Sequence, residues 1–92
     1  MPPLYQSRLL QNFPNPFNPE TWIPYQLAED AFVRVNIYQA NGTLVRTLEI
    51  GQRPAGYYLS RENAAYWDGT NHAGEQVSSG IYFTHLDRKS VV

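Results

Sequence analysis

The side chains that could do acid–base chemistry are scattered along the chain rather than gathered. Most of the acids fall in predicted turns; the full set of eight is Glu20, Glu29, Asp30, Glu49, Glu62, Asp68, Glu75 and Asp87. A glycosidase needs two carboxylates that face each other across a cleft, and no serine lies in the Gly-x-Ser-x-Gly turn of the α/β-hydrolases. His72 falls in a predicted loop and His85 in a predicted strand, and neither has the spacing of a general base. We therefore predict no catalytic residues and no enzymatic activity.

One loop has part of a calcium-binding pattern. Asp68-Gly69-Thr70-Asn71 begins like a calcium loop, but His72 and Ala73 stand where an EF-hand needs an oxygen ligand and a glycine. The alternative is that Asp68 and Asn71 accept backbone hydrogen bonds and close an Asx-type turn. We favour the turn and expect no metal and no cofactor. If the chain does bind calcium, the candidate ligands are Asn18, Asp68 and Asn71.

Two other kinds of binding site are not favoured by the spacing. A zinc site would need His72, Glu75 and His85 to meet, and nothing in their separation fixes such a geometry. The aromatic residues are spread over several predicted strands and over both phases of the alternation. We expect most of them to pack in the core rather than to form a binding stripe on the surface.

The composition is that of one small folded domain. The chain has 92 residues, of which 42% are hydrophobic and 14% aromatic, too many for a disordered segment. The net charge of −1 lacks the basic excess of nucleic-acid-binding proteins. There is no cysteine, so disulfides and thiolate metal sites are excluded. No apolar stretch approaches the roughly 20 residues of a transmembrane helix, and we expect no membrane span.

Short β-branched and aromatic runs alternate with turn residues, which is typical of an antiparallel sandwich. The clearest strand covers Ala31–Tyr38. Asn41-Gly42 predicts a type I′ hairpin, in which both turn positions take positive φ, leading to a strand over Leu44–Ile50. A further strand is predicted over Ile81–Leu86. The alternation predicts these core residues: Val33, Val35, Ile37, Trp67 and Ile81.

Two other runs are less regular. Thr21–Leu27 alternates like a strand, but Pro24 in its interior predicts an edge or bulged strand. Tyr57–Trp67 is polar in its middle, which we interpret as one strand with a local insertion. Residues 12–19 contain three X-Pro steps and predict a stiff, non-helical crossing between sheets.

Together these patterns predict an all-β, immunoglobulin-like antiparallel β-sandwich of about seven strands. We interpret residues 1–92 as one domain, with an N-terminal arm or linker over residues 1–10 and a shortened tail over residues 87–92. A small barrel is the alternative fold that the pattern leaves open.

Four stretches resemble a known family. They are Leu10–Thr21 with its Asn-Pro-Phe-Asn-Pro core, Val35–Tyr38 with Asn41-Gly42, Pro54–Tyr57, and Tyr66–Phe83 with Trp-Asp-Gly and Ser-Gly-Ile-Tyr. They resemble, in the same order, the type A C-terminal sorting domain of type IX (Por) secretion cargo, a module similar to the immunoglobulin-like domain of flagellar hook-capping proteins.

The resemblance implies a non-catalytic module that is recognised during export. Such domains are recognised by an outer-membrane translocon and cleaved by a sortase-like peptidase, so the protein is expected at the surface of a bacterium or outside it. The residues expected to be recognised are Asn15, Pro16, Phe17, Asn18, Pro19, Arg88, Lys89, Val91 and Val92. The alternative function is a structural spacer, or a carbohydrate- or protein-binding module, of an extracellular enzyme.

The tail departs from the family pattern. Family members follow the Ile-Tyr-Phe strand with a turn and a final basic-then-apolar strand, whereas here Leu86 leads at once into Asp87–Val92. We expect a shortened tail to leave an open sheet edge beside Ile81–Leu86. An open edge recruits another strand, so the sequence predicts a homodimer formed by edge pairing or strand exchange.

Overall fold

The computed structural model describes residues 6–10 and 20–91, and in them the chain forms antiparallel sheets that enclose one core. The predicted all-β sandwich is confirmed. Its strands are β1 (Arg8–Leu9), β2 (Thr21–Ile23), β3 (Tyr25–Leu27), β4 (Ala31–Gln39), β5 (Leu44–Arg53), β6 (Gly56–Tyr58), β7 (Ala65–Trp67) and β8 (Tyr82–Ser90).

The strands form three sheets, which lie in two layers. Strands β5, β4 and β8 form one sheet in that order, with β4 in the centre. The opposite layer is divided into a three-stranded sheet, β1-β3-β6, and a pair, β2-β7. Residues of all three sheets form one core, and at the edges of the layers β1 contacts β8 and β7 contacts β5. Within the described residues no helix is long and apolar enough to cross a lipid bilayer.

The core is built on the alternation of β4. Val33, Val35 and Ile37 are at most 2% exposed, while Phe32 and Arg34, at the alternate positions, point outward. The opposite layer contributes Trp67, Tyr25, Ile23 and Leu27, all buried. Each buried side chain of this size stabilises the fold by roughly 1.5–3 kcal/mol relative to an exposed one. The predicted core residues Val33, Val35, Ile37 and Trp67 are confirmed.

The β4–β5 hairpin is confirmed, but its turn is of a different type. Gly42 has a φ of 90°, whereas Asn41 has a negative φ, so a type I′ turn is wrong. Gly42 N donates to the Gln39 carbonyl at 2.9 Å, and Gln39 N donates to the Thr43 carbonyl at 2.9 Å. Those bonds close a three-residue loop in which Gly42 takes the left-handed position of a bulge. Asn41 Oδ1 accepts from Thr43 N at 3.0 Å, which stabilises Asn41 in its ordinary conformation.

Pro24 separates two strands, whereas the sequence predicted a single edge or bulged strand. It divides the predicted strand Thr21–Leu27 into β2, which pairs with β7, and β3, which lies between β1 and β6. The prediction of an edge strand is therefore wrong for β3, which is central and buried. Pro24 has no N–H to donate, but its carbonyl accepts from Leu10 N at 2.9 Å. The chain thus passes from one sheet to the next at this residue.

Two other irregular segments take definite places. Tyr57–Trp67, predicted as one strand with an insertion, is two strands in different sheets, β6 and β7, joined by a turn in which Ala64 N donates to the Ser60 carbonyl at 2.7 Å. The described part of the predicted arm or linker, residues 6–10, pairs with β3 at Arg8 and Leu9. Gln26 of β3 donates from Nε2 to the Gln6 carbonyl at 3.0 Å and holds that segment in place.

The last strand is longer than predicted. β8 continues through the predicted tail to Ser90 and pairs with β4 without a register shift. Ile81, predicted as core, is 69% exposed, so that prediction is wrong. The alternation explains the error, because Tyr82, Thr84 and Leu86 face inward and leave the odd-numbered positions to the outer face.

Candidate functional site

The predicted recognition residues fall in two groups, of which one is described. Arg88 and Lys89 are exposed near the end of β8, and Val91, just beyond the strand, is half-buried. The other group, Asn15 to Pro19, lies outside the described residues, as do Val92 and the calcium candidate Asn18.

Arg88 and Lys89 lie where a partner can reach them. In the pairing of β8 with β4, Arg88 lies opposite Val33 and Lys89 opposite Phe32. No described carboxylate lies within 4.0 Å of either basic group. Together they form a positively charged end of an edge strand, two residues before the half-buried Val91.

The outer face of the β5-β4-β8 sheet is arranged in rows that cross all three strands. One row is ionic: Arg34 Nε lies 3.0 Å from Glu49 Oε1, and Arg34 Nη1 lies 3.9 Å from Asp87 Oδ2. The next row is neutral. Thr47 Oγ1 donates to Asn36 Oδ1 at 2.9 Å, and Asn36 Nδ2 lies 3.4 Å from His85 Nδ1. Since the ion pairs are half exposed, they stabilise the fold by less than about 1 kcal/mol each and chiefly set charge positions.

A shallow groove of about 490 Å³ crosses this face beside the ionic row. It opens where β5 has Gly51, which has no side chain and a φ of 93°. The register between β4 and β5 shifts at the neighbouring Val33 and Arg34, so the groove marks a β-bulge. Phe32 and Lys89 line it from the other strands. It is open and mixed in polarity, with no enclosed site for a small substrate.

The opposite end of the same face is apolar. Phe83, 58% exposed, lies opposite Tyr38, and Tyr38 lies opposite Leu44, 43% exposed. Ile81, which precedes β8, adds to this surface. The outer face therefore runs from exposed apolar side chains at the start of β8 to charged ones at its end.

The candidate calcium loop forms Asx turns. Asp68 Oδ1 accepts hydrogen bonds from Thr70 N at 3.0 Å and from Thr70 Oγ1 at 2.6 Å. Asn71 Oδ1 accepts from Ala73 N at 2.9 Å and from Glu75 N at 3.0 Å. The favoured interpretation of a turn is thus confirmed for both residues. Calcium binding at Asp68 and Asn71 stays untested.

The strand beside this loop supplies a cation. Arg46 Nη1, on β5, donates to Thr70 Oγ1 at 2.6 Å and lies 3.8 Å from Asp68 Oδ1. Chiefly because Thr70 Oγ1 donates a hydrogen bond to it, and with help from the Arg46 charge, the pKa of Asp68 is below its usual value. The carboxylate is therefore ionised and already has partners.

The two histidines lie in separate places. The backbone N–H of Thr47 donates to His72 Nε2 at 3.2 Å, whereas His85 lies beside Asn36 on the outer face. Glu75 Oε1 accepts from Asn71 Nδ2 within the loop. Among the described residues, no group of three or more histidine, aspartate or glutamate side chains could hold a metal ion.

The aromatic residues are divided between core and surface. Trp67 is buried, donates from Nε1 to the Thr70 carbonyl at 2.9 Å, and packs edge-on against Tyr82 at 5.3 Å. On the outside of the β2-β7 pair, Trp22 and Tyr66 lie 5.6 Å apart. The Tyr66 hydroxyl donates to Glu20 Oε2 at 2.6 Å, and this bond raises the pKa of the phenol.

Residues 20–88 match the family model of the FlgD Ig-like domain. This match covers more than half of the chain, including every strand from β2 to β7 and nearly all of β8. The chain belongs to the FlgD Ig-like domain family. The predicted immunoglobulin-like fold is confirmed, and so is the resemblance to the domain of the flagellar hook-capping protein. No curated protein matches the chain.

A FlgD Ig-like domain is a structural rather than a catalytic module. The finer resemblance, to type IX sorting domains, rests on the motifs of the sequence and stays a prediction.

Two features of this FlgD Ig-like domain escaped prediction from the sequence. Arg46 binds a loop 24 residues further along, and no spacing rule connects them. The exposure of Phe83 was not predicted either. Both sets of alternate positions in Ile81–Leu86 contain apolar residues, so the pattern does not show which set faces the core. The 49% exposure of Phe32, in contrast, is indicated by the sequence, because Phe32 lies at an alternate position between two core residues of β4.

Proposed function

We propose that this domain sorts and anchors an exported bacterial protein through type IX secretion, acting as a C-terminal module that is recognised rather than as a catalyst. The observation that carries the proposal is the end of β8, where Arg88 and Lys89 are exposed and lead into Val91. This order of basic and then apolar residues is the one expected of a sorting tail.

The arrangement of the site supports recognition by a protein. The basic pair lies at a sheet edge, where a partner can reach side chains and backbone groups together. The proposed partners are an outer-membrane translocon, which would bind the domain, and a sortase-like peptidase, which would remove it. The proposed location of the mature protein is the cell surface or the medium.

A fusion experiment tests the proposal. We would attach residues 1–92 to the C-terminus of a fluorescent reporter that carries a periplasmic leader, in a bacterium with a type IX system and in the same strain without its translocon. The proposal predicts reporter outside the first strain and in the periplasm of the second. Equal retention in both strains would contradict it. If the mass of the exported reporter shows that the domain is still attached, only the proposed cleavage by the peptidase is contradicted.

A second function is a spacer or binding module of an extracellular enzyme, and the outward pair Trp22 and Tyr66 favours it. Tyr66 is 45% exposed, and the Arg61 guanidinium carbon lies 4.2 Å from the centre of the Trp22 ring. Exposed aromatic rings of this kind can stack on sugar rings or peptide side chains. Retention on insoluble polysaccharide that Tyr66→Ala abolishes, together with failure of the fusion to leave the periplasm, would favour this function.

A further inference from the structure

Strand β8 has an unusually regular edge. It is nine residues long and pairs with β4 throughout without a register shift. Among the described residues it forms a strand pair with β4 alone, and Arg8–Leu9 of β1 contact it without pairing. Regular edges of this length are places where a second chain adds a strand, since their backbone N–H and C=O groups are aligned for pairing.

The other described edges are protected in the ways that proteins commonly use. β5, at the opposite edge of the same sheet, is interrupted by two register shifts and contains Gly51. The strands of the opposite layer have only two or three residues each. Bulges and short lengths discourage strand addition, so β8 is, of the edges that the structure describes, the one that a second chain would use.

The sequence of β8 is suited to pairing with its own copy. Two copies related by a two-fold axis run antiparallel, and residues directly opposite each other share a face. If the axis passes through Leu86, then Phe83 lies opposite Lys89 of the second copy and His85 lies opposite Asp87. No like charges meet in this register, and two histidine–carboxylate pairs form.

Neighbouring registers lack this complementarity. With the axis at Asp87, the two Asp87 carboxylates face each other, and with the axis at Arg88, the two guanidinium groups do. With the axis at His85, Phe83 would meet the Asp87 carboxylate. Like charges directly opposite each other destabilise a sheet, and opposite charges stabilise it. Charge complementarity therefore selects the register centred on Leu86.

The neutral row of the outer face prepares His85 for such a contact. Thr47 Oγ1 donates to Asn36 Oδ1, which turns the Asn36 amide nitrogen towards His85 Nδ1. An imidazole that accepts at Nδ1 has its proton at Nε2 when it is neutral. That N–H is available to a carboxylate on a second chain.

We propose that two copies of this domain pair through β8 about a two-fold axis at Leu86, joining two three-stranded sheets into one six-stranded sheet. The contact uses Phe83–Lys89 and places His85 of each copy against Asp87 of the other. The partner is a second copy of this chain. The dimer would cover the edge that the sorting proposal assigns to the translocon, so it would have to dissociate before sorting. The two proposals are tested separately, dimerisation on the purified chain and sorting in cells.

Sedimentation velocity from about 10 µM to 1 mM, on the whole chain, tests the pairing. We expect a concentration-dependent dimer. His85→Glu should raise its dissociation constant roughly tenfold, because two pairs of like charges then face each other. The exchange His85→Glu with Asp87→Lys should restore the dimer, since residues 85 and 87 meet only in this register. A chain that stays monomeric at every concentration would overturn the proposal, as would a dimer that ignores these changes.

Cross-linking gives a second, independent measurement. The chain has no cysteine, so His85→Cys and Asp87→Cys each introduce one exposed thiol. Mixed and mildly oxidised, the two variants should form a disulfide-linked dimer, because the Cβ atoms of directly opposite residues lie about 4.5–5.5 Å apart and a small shift brings them to the roughly 3.5–4.5 Å of a disulfide. Each variant alone should cross-link far less, since its thiols are offset by two residues. Equal cross-linking in all three samples would contradict the register.

Discussion

Arg46 Nη1 donates a hydrogen bond of 2.6 Å to Thr70 Oγ1, and this contact ties the middle of β5 to the loop that follows the buried Trp67. The same nitrogen lies 3.3 Å from the Asn71 carbonyl, so one guanidinium group holds several oxygens of the loop. The cation that this loop binds is therefore the Arg46 guanidinium group of the protein itself. Its shape follows from Asx turns and from Arg46 together.

We predict that the fold does not depend on calcium. The Arg46 guanidinium lies beside Asp68 and Thr70, and Asn71 Oδ1 already accepts two backbone hydrogen bonds. Thermal unfolding in EDTA and in millimolar calcium should therefore give the same midpoint. A rise of several degrees in calcium that Asp68→Ala abolishes would contradict the prediction, and Glu29→Ala, a change at an exposed acid outside the loop, is the control.

The stability of the domain should depend on pH through Asp68. Its pKa is lowered in the folded state, chiefly by the hydrogen bond from Thr70, so its contribution is present above the unfolded pKa, about 3.9. That contribution is lost as the pH falls through the lower folded value. We predict that wild type exceeds Asp68→Asn in free energy of unfolding at pH 7 and that the difference shrinks towards pH 2. A constant difference from pH 7 to pH 2 would show that the charge of Asp68 contributes nothing.

Truncation of Trp67 should be among the most damaging single changes. The indole is 1% exposed, packs on Tyr82 and donates to the Thr70 carbonyl. We predict that Trp67→Ala lowers the free energy of unfolding in urea by about 3–5 kcal/mol. Tyr66→Ala, on the same strand but facing outward, should cost about 1 kcal/mol or less. Equal costs for the two variants would mean that Trp67 does not anchor the core.

The hairpin loop makes a separate prediction. Gly42 has a φ of 90°, and a Cβ at this position meets nothing within 4 Å, so a substitution suffers from backbone strain alone. We predict that Gly42→Ala destabilises the domain by roughly 1–2 kcal/mol in chemical denaturation. Thr43→Ala, in the same loop, should have little effect. No measurable change in Gly42→Ala would mean that the loop adopts another turn.

How much could be predicted from the sequence depended on the strand. Apolar and polar residues alternate from Val33 to Ile37 in β4, so the core residues Val33, Val35 and Ile37 could be assigned at once. β8 has apolar residues in both phases, which is why Ile81 was placed in the core although it is exposed. Pro24 signalled a break, but the strand partners of the two halves are set by tertiary packing.

The candidate site was predictable in the same uneven way. Arg88 and Lys89 could be singled out because a basic–apolar ending is a local pattern, but the prediction placed them in a tail, whereas they lie on β8. The ionic row of Arg34, Glu49 and Asp87 could not be foreseen, because it depends on the register of three strands and on a bulge at Gly51. Register is fixed by long-range pairing, which one sequence does not display.

The central claim is that the domain is recognised through the exposed basic end of β8, and the exported fraction of the reporter fusion tests it most directly. We would compare wild type, Arg88→Glu with Lys89→Glu, and a charge-matched control, Arg8→Glu with Arg61→Glu, after urea unfolding has shown that all three fold. The account predicts that the β8 variant loses most of its export while the control keeps it. Equal export of the two variants would contradict the claim.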